Sequence, residues 1–336
     1  QASWLPSPAL SHPRRILDIV ESMPAHIQAP RPSGYPASMR AGPAPVVKTL
    51  FLVRHGEAVH NIEEQKAKRR AAAEAEAQGH AEGSEAHKKM IEAARKAALR
   101  DEQLRDASLS TTGKGQTVAA KDELRALTEN DMGLPAPAVV LVSPLQRTLE
   151  TAAILFPDHP RVHVCEDLRE RRTGLPCDER KMACHLARQP AFSNMDFMGL
   201  KSLDRELRAG LEQAPVEDAA MLQCRTAQWV EALRTVKDDT VCLVTHKAFL
   251  RELERGSLGQ TEAKEFSNCE VRAYNVILFP DGSLAAELLH NAEAPFQPSG
   301  QGLSPRYASE ESVEVEGAYE RRLSFSLGLQ EVFPVC

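Results

Sequence analysis

Short apolar runs alternate along the middle of the chain with longer stretches whose apolar residues recur at helical spacing. The runs predict strands at residues 48–53, 138–142, 162–165, 240–245, 275–279 and 283–289. The longer stretches predict helices at residues 113–128, 145–156, 218–236 and 247–255. Strands that alternate with helices are typical of an α/β fold, here a three-layer α/β/α arrangement with a mostly parallel central sheet. The turn residues between the last two runs predict a terminal hairpin.

A polar segment near the first strand departs from this alternation. Residues 62–105 consist mainly of Ala, Glu, Lys and Arg without proline, which predicts helix with a break near Gly79 and Gly83. We treat residues 62–107 as a helical insertion. It is expected to project into solvent, and docking on a protein partner is the less favoured alternative. Its thin apolar stripe consists of Met90, Ala94, Ala97 and Leu104.

Both ends of the chain differ in composition from the middle. Residues 1–45 are rich in Pro, Ala, Ser and Arg, and we expect a disordered or surface-hugging arm, with a trimmed organelle-targeting remnant as the alternative. Residues 292–336 are rich in Ser, Gly, Pro and Glu, which predicts a poorly ordered acidic tail. The domain that carries the chemistry is therefore expected at residues 46–291.

The overall composition excludes several classes of protein. The formal net charge of −6 is unlike that of a nucleic-acid-binding protein. No apolar run reaches the roughly 20 residues that span a bilayer. The seven cysteines form no CxxC pair, which favours a reducing intracellular compartment, either the cytoplasm or an organelle such as the plastid.

Residues suited to phosphate chemistry follow the predicted strands. Arg54 and His55 come directly after the first strand, and the carboxyl ends of strands are where open α/β sheets bind ligands. A guanidinium group holds phosphate or carboxylate through a fork of hydrogen bonds, and histidine is a known covalent nucleophile. Arg147 follows a second strand at a helix start, a position that favours anions, and His246 ends a third. Further polar side chains are Glu170, after the third predicted strand, and Asn61, at the start of the insertion.

Five motifs carry a family resemblance. They are RHGEAVHN at 54–61, LSTTG at 109–113, SPLQRTLETA at 143–152, LRERRTG at 168–174 and VTH at 244–246. In this order they resemble the histidine phosphatase superfamily, also called phosphoglycerate mutase-like. The runs GLPCDERK at 174–181, SNMDF at 193–197 and FSNCEVR at 266–272 are similar to a plant and algal branch of undefined substrate.

The resemblance implies a role for each candidate residue. His55 is the expected nucleophile that becomes phosphohistidine. Arg54, Arg147 and His246 are expected to bind the phosphoryl oxygens, with Asn61 as a further donor. Glu170 matches the proton donor of the family. The resemblance implies no metal and no cofactor.

Electrostatics adds an expectation for the two proton-carrying groups. Two guanidinium groups disfavour protonation of His55, as a nucleophile requires. The same cations favour an ionised Glu170, so we expect Glu170 to act as an acid only once a phosphorylated substrate is present.

Two further features of the sequence bear on the site. Lys247 stands where the family usually has a small residue after the second histidine. It is expected to contact phosphate, to crowd the pocket or to point to solvent. Seven other histidines lack metal-ligand spacing and are expected to be ordinary exposed residues. They are His60, His80, His87, His159, His163, His185 and His290.

These patterns favour a metal-independent phosphomonoester hydrolase that acts on a phosphorylated small molecule through phosphohistidine on His55. One alternative is phosphoryl transfer of the phosphoglycerate mutase type. The other is a catalytically weak or inactive structural subunit that docks on a larger assembly through 62–107 or the termini. The substrate pocket is expected to take its wall from the insertion and residues 174–203.

Overall fold

A seven-stranded sheet forms the centre of the computed structural model, which describes residues 44–129, 133–200, 204 and 216–292. The predicted arm and tail lie outside these residues, apart from residues 44, 45 and 292. The strands are β1 (Val46–Arg54), β2 (Val139–Val142), β3 (Val162–Val164), β4 (Met195–Asp196), β5 (Thr240–Thr245), β6 (Val271–Leu278) and β7 (Leu284–His290). The helices are α1 (Val59–Ala77), α2 (Glu85–Leu99), α3 (Thr111–Thr128), α4 (Gln146–Leu155), α5 (Ala183–Leu186), α6 (Ala219–Leu233) and α7 (Lys247–Glu252).

The sheet has the order β4-β3-β2-β5-β1-β6-β7. The five strands from β4 to β1 are parallel, and β6 and β7 form an antiparallel hairpin at one edge. The prediction of a mostly parallel sheet with a terminal hairpin is confirmed. The two-residue edge strand β4 was not predicted, because it is too short to show a pattern.

Each face of the sheet is covered by helices, so the three-layer arrangement is confirmed. On one face, Phe51 of β1 belongs to the same buried cluster as Leu124 of α3 and Leu149 of α4. On the other face, Leu52 packs in a cluster with Trp229 of α6. The apolar run of β1 is continuous because both of its faces are buried, as is usual for a central parallel strand.

The parallel register brings three strand ends together. Arg54 pairs with Thr245 across β1 and β5, and Val142 pairs with Val244 across β2 and β5. The backbone N–H of His55 donates to the carbonyl of Thr245 at 3.0 Å. The residues that follow β1, β2 and β5 therefore lie side by side at the carboxyl edge of the sheet.

The insertion forms two helices, α1 and α2, as predicted. The break contains Gly79 and Gly83, whose φ angles of 82° and 76° favour glycine. The predicted apolar stripe is wrong in part, because Ala97 is exposed. The residues of the two helices that are buried instead are His60, Ala71, Ala75, His87 and Leu99. None of the described helices is long and apolar enough to cross a membrane.

Candidate active site

The nucleophile candidate His55 is almost fully buried, with 3% of its surface exposed. Its Nδ1 lies 2.7 Å from the carbonyl oxygen of Gly56, to which it donates. Its Nε2 accepts a hydrogen bond from Nε of Arg147 at 3.3 Å. The proton is thus on Nδ1 and the lone pair on Nε2, since a carbonyl can only accept and a guanidinium can only donate. Burial, followed by the charges of Arg147 and Arg54, holds the pKa of His55 well below its usual value, so the imidazole is neutral.

The backbone around His55 is held by close packing. A Cβ on Gly56 would lie 2.6 Å from the carbonyl oxygen of Gly113, and a Cβ on Gly113 would lie 2.0 Å from that of Glu57. Gly113 opens helix α3, so the LSTTG motif lets this helix pack directly on the turn that carries the nucleophile. Asn268 Nδ2 donates to the carbonyl of His55 at 3.1 Å, so Asn268 fixes the turn as well.

Two guanidinium groups lie beside His55, each held by a backbone carbonyl. Arg147 is buried, and its Nη1 donates to the carbonyl of Cys177 at 2.7 Å. Its Nη2 lies 3.5 Å from Oδ1 of Asp178. Arg54 donates through Nη1 to the carbonyl of Phe266 at 2.7 Å. Its Nε is buried and has no hydrogen-bond partner among the described residues. Both cations are therefore oriented before any ligand arrives.

The second imidazole, His246, is fully buried after β5. Its ring centre is 5.1 Å from that of His55. Its Nε2 forms a 2.6 Å hydrogen bond with Oγ of Ser143, the residue that follows β2. Its Nδ1 is buried without a partner in the described part of the chain. Burial and the charge of Arg147 lower the pKa of His246, so this ring is also neutral.

Glu170 reaches the cleft from the loop after β3. Its Oε1 accepts a hydrogen bond from the backbone N–H of Arg171 at 2.8 Å. Burial first, and then the charge of Asp178, raise the pKa of Glu170 above its usual value, and Arg147 opposes this only in part. Desolvation thus outweighs the attraction of the nearby cations at Glu170. That Glu170 acts as an acid only once substrate is present stays a prediction.

The cleft at these strand ends has a volume of about 240 Å³. Arg54, His55, Asn61, Arg147 and Glu170 line it together, as the sequence predicted, while His246 lies behind them next to His55. The insertion and the start of 174–203 contribute to the wall as expected, but the other described residues of that second segment, up to residue 200, do not. The wall residues from these segments are Glu64, Arg95, Leu99, Leu175, Cys177 and Asp178, and His60 and Asn61 line the cleft directly before the insertion.

Lys247 also lines the cleft, at the start of α7. Its side chain is 42% exposed, and its Nζ lies 3.0 Å from Oε2 of Glu265. Arg251 pairs with the same carboxylate at 3.1 Å. Lys247 and Arg251 thus share Glu265 in an ion pair at the cleft wall. None of the three expectations for Lys247 included this arrangement.

The sequence interpretation missed two residues of the cleft. His60 was expected to be exposed, but it is buried, as are His87 and His290. Of the seven histidines expected to be exposed, only His185 is, and His80, His159 and His163 are partly buried. The available signal for His60 was its place inside the first motif, directly before Asn61. Asp178 belongs to a loop whose closure over Arg147 depends on contacts distant in sequence. Among the described residues, no three His, Cys, Asp or Glu side chains are grouped as ligands of a metal ion.

Comparison with known proteins decides the family. Residues 92–291, more than half of the chain, match the sequence model of the histidine phosphatase superfamily (branch 1). The chain belongs to this superfamily. The match includes Arg147, Glu170 and His246 and begins after Arg54 and His55. The protein is thus an enzyme of the histidine phosphatase type. The match does not test the resemblance to a plant and algal group, which stays a prediction.

Several solved structures are similar to the superfamily domain of this chain. A mycobacterial glucosyl-3-phosphoglycerate phosphatase complexed with VO3 has 17% identity and a TM-score of 0.41, covering 72% of this chain and 96% of its own. A phosphoserine phosphatase from Entamoeba histolytica has 17% identity and a TM-score of 0.38, with coverage of 73% and 96%. A phosphoglycerate mutase from Bacillus anthracis has 17% identity and a TM-score of 0.41, with coverage of 73% and 93%. These similarities are too distant to assign an activity. No curated protein matches the chain significantly.

Proposed function

We propose that this histidine phosphatase superfamily member is a metal-independent phosphomonoester hydrolase that acts through a phosphohistidine on His55. The observation that carries the proposal is the state of His55. It is buried and neutral, its Nδ1 is anchored on the Gly56 carbonyl, and its Nε2 lone pair lies beside the Arg147 guanidinium. A neutral imidazole with a fixed tautomer next to a fixed cation is suited to attack a phosphorus atom whose oxygens that cation binds.

The surrounding donors support a phosphoryl group as the ligand. Arg54 Nε and His246 Nδ1 are buried polar atoms without a partner among the residues that the structure describes. Unpaired buried polar groups are uncommon and ask for an explanation. Phosphoryl oxygens that accept from Arg54, Arg147 and His246, with the amide of Asn61 as a further donor, satisfy these atoms. Two guanidinium charges also offset the charge of the transferred group, and phosphoryl transfer depends mainly on such positioning and stabilisation.

The first half-reaction forms a bond between Nε2 of His55 and phosphorus, and the bond from phosphorus to the ester oxygen breaks. The leaving oxygen takes the proton of Glu170, a group whose pKa is raised by burial and by the charge of Asp178. The second half-reaction reverses these roles. Water attacks the phosphorus, the ionised Glu170 accepts its proton, and the bond to Nε2 breaks. Neutral His55 and protonated Glu170 are restored.

The test is direct detection of the phosphohistidine. The protein is incubated with a panel of small phosphomonoesters and quenched in alkali, and the intact mass is recorded over time. We expect transient addition of one phosphoryl group that is lost in acid, absent in His55→Ala and unchanged in His185→Ala, an exposed histidine. Glu170→Gln should slow both formation and loss.

Other outcomes of the same experiment separate the alternatives. A long-lived phosphoprotein that passes its group to a sugar acid would favour the mutase alternative. Absence of phosphorylation with every donor would contradict the proposal and favour a structural subunit that docks through 62–107 or the termini.

A further inference from the structure

His60 is a third imidazole at the same cleft. It lies in the first turn of α1, one residue before Asn61, and only 6% of its surface is exposed. It lines the cleft that contains His55, and the two ring centres are 6.4 Å apart. That separation allows one phosphoryl group to reach both rings. The side chain has no place in the reaction described so far.

A chain of hydrogen bonds fixes the tautomer of His60. The backbone N–H of Ala58 donates to Oδ1 of Asn61 at 3.0 Å, which closes the first turn of α1. The amide nitrogen Nδ2 of Asn61 lies 3.1 Å from Nε2 of His60. Because Oδ1 is the atom that accepts from Ala58, Nδ2 is the donor in the second contact, and Nε2 of His60 is the acceptor. A neutral imidazole that accepts at Nε2 carries its proton at Nδ1.

The proton on Nδ1 has no acceptor among the residues that the structure describes. Nδ1 of His60 is buried and lacks a hydrogen-bond partner within the described ranges, as do Arg54 Nε and His246 Nδ1 beside the same nucleophile. Burial, and then the charges of Arg147 and Arg54, lower the pKa of His60 well below its usual value, so the ring stays neutral and does not repel these cations. A buried donor without an acceptor costs free energy unless a ligand completes it.

We propose that His60 is a further phosphate-binding residue, whose Nδ1–H donates to an oxygen of the phosphoryl group during transfer to and from His55. The inference rests on the proposed function, which supplies the phosphoryl group. His60 adds a directed donor without adding charge, on the side of the cleft formed by the insertion. Helix α1 thereby contributes directly to the reaction centre and not only to the wall around it.

Three variants of His60 separate donation from packing. In His60→Phe the ring shape stays and both nitrogens are lost. In His60→Asn an amide N–H returns close to the position of Nδ1. In His60→Gln the amide lies near Nε2, so the contact with Asn61 is kept without a donor at Nδ1. The matched control is His87→Phe, since His87 is equally buried at 6%, also has an unpartnered ring nitrogen, and does not line the cleft.

Binding of inorganic phosphate and of orthovanadate is measured by calorimetry, together with kcat/KM on the best phosphomonoester. A hydrogen bond to a charged oxygen predicts a loss of about 10- to 100-fold in both quantities for His60→Phe. We expect a similar loss for His60→Gln, recovery of most of it in His60→Asn, and wild-type binding in His87→Phe. If His60→Phe does not fold, His60→Gln carries the same expectation.

The inference is overturned if His60→Phe or His60→Gln binds phosphate as the wild type does, or if His60→Asn is as weak as His60→Phe. Its failure is distinct from that of the proposed function. In the first case the wild type still binds phosphate and is phosphorylated on His55. If the wild type does neither, the proposed function fails and this inference with it.

Discussion

At the scale of single residues, Glu170 and Asp178 are two carboxyl groups of the cleft, and the charge of Asp178 acts on Glu170. Both line it, and burial raises the pKa of each. Asp178 adds its charge to the rise at Glu170 and also lies 3.5 Å from Arg147. The loop of Asp178 thus contacts Arg147 and contributes to the raised pKa of Glu170. The charge of Asp178 adds to the effect of burial on the pKa of Glu170, and the charge of Arg147 opposes it.

Replacement of Asp178 tests this balance. In Asp178→Asn the negative charge that disfavours ionisation of Glu170 is removed. The pKa of Glu170 therefore falls, and its protonated form is lost at lower pH. We expect the alkaline limb of the pH–rate profile for phosphorylation of His55 to move to lower pH. Single-turnover rates over a range of pH measure the shift.

The control is Glu179→Gln, which removes the same charge from the next residue. Glu179 is 34% exposed and pairs with Arg172 at 3.9 Å. Its profile should stay close to that of the wild type. An alkaline limb that moves equally in both variants would show that net charge, and not the position of Asp178, controls the acid.

The sequence allowed prediction of the residues in the motifs but not of those that complete the cleft. Arg54, His55, Arg147 and His246 follow strands, and strand ends of a parallel sheet meet at one edge, so their proximity follows from topology. His60 is on a helix whose first turn is closed by Asn61, and Asp178 is on a loop that closes over Arg147. The positions of such side chains depend on packing between distant segments, which no local pattern encodes.

At the scale of elements, the contact between α3 and the nucleophile turn controls the geometry of His55. Two glycines, Gly56 and Gly113, allow the backbones to approach closely. Helix α3 also contains Gly115, where an added Cβ would have no atom within 4 Å. The strands and the two insertion helices were predictable because their patterns are local, but this contact joins two segments more than fifty residues apart. The close contact of Gly113, the glycine in LSTTG, with Glu57 is visible only in the three-dimensional structure.

These two glycines of α3 provide a matched pair of variants. A Cβ in Gly113→Ala meets the backbone of Glu57, which has little freedom to move, so overpacking of about 1–3 kcal/mol is expected. The turn should shift, and the rate of His55 phosphorylation should fall at least tenfold. Gly115→Ala should keep wild-type activity and gain up to about 1 kcal/mol of stability, because alanine favours helix. Urea unfolding and single-turnover rates of both variants give the comparison. Equal activity of the two would contradict the role given to Gly113.

At the scale of the whole molecule, three buried neutral histidines link the site to stability. Burial depresses the pKa of His55, His60 and His246 in the folded state. In the unfolded chain each takes up a proton as the pH falls through about 6.5, while the folded protein does not. The stability associated with the neutral form is fully present above that pH and is lost below it.

The free energy of unfolding should therefore decrease in mild acid. Each histidine contributes a slope of up to about 1.4 kcal/mol per pH unit below its unfolded pKa. We expect the free energy of unfolding in urea to decrease steeply from pH 7.5 to 5. In His60→Phe the slope of this decrease should correspond to about one proton fewer taken up on unfolding. The exposed His185→Gln should retain the wild-type slope. A slope unchanged in His60→Phe would show that folding does not lower the pKa of His60.

The unpaired donors at the cleft have a consequence for the lifetime of the protein. Buried N–H groups without acceptors make the ligand-free protein less stable than the phosphate-bound protein. His60→Phe removes one such donor, so it should stabilise the ligand-free protein against unfolding while it impairs binding. Phosphate then acts as a folding ligand, and its contribution grows with the logarithm of its concentration. Proteases attack the unfolded fraction first. The lifetime of this enzyme would therefore increase with the concentration of the phosphate compounds that bind it, and ligand-free molecules would be degraded first.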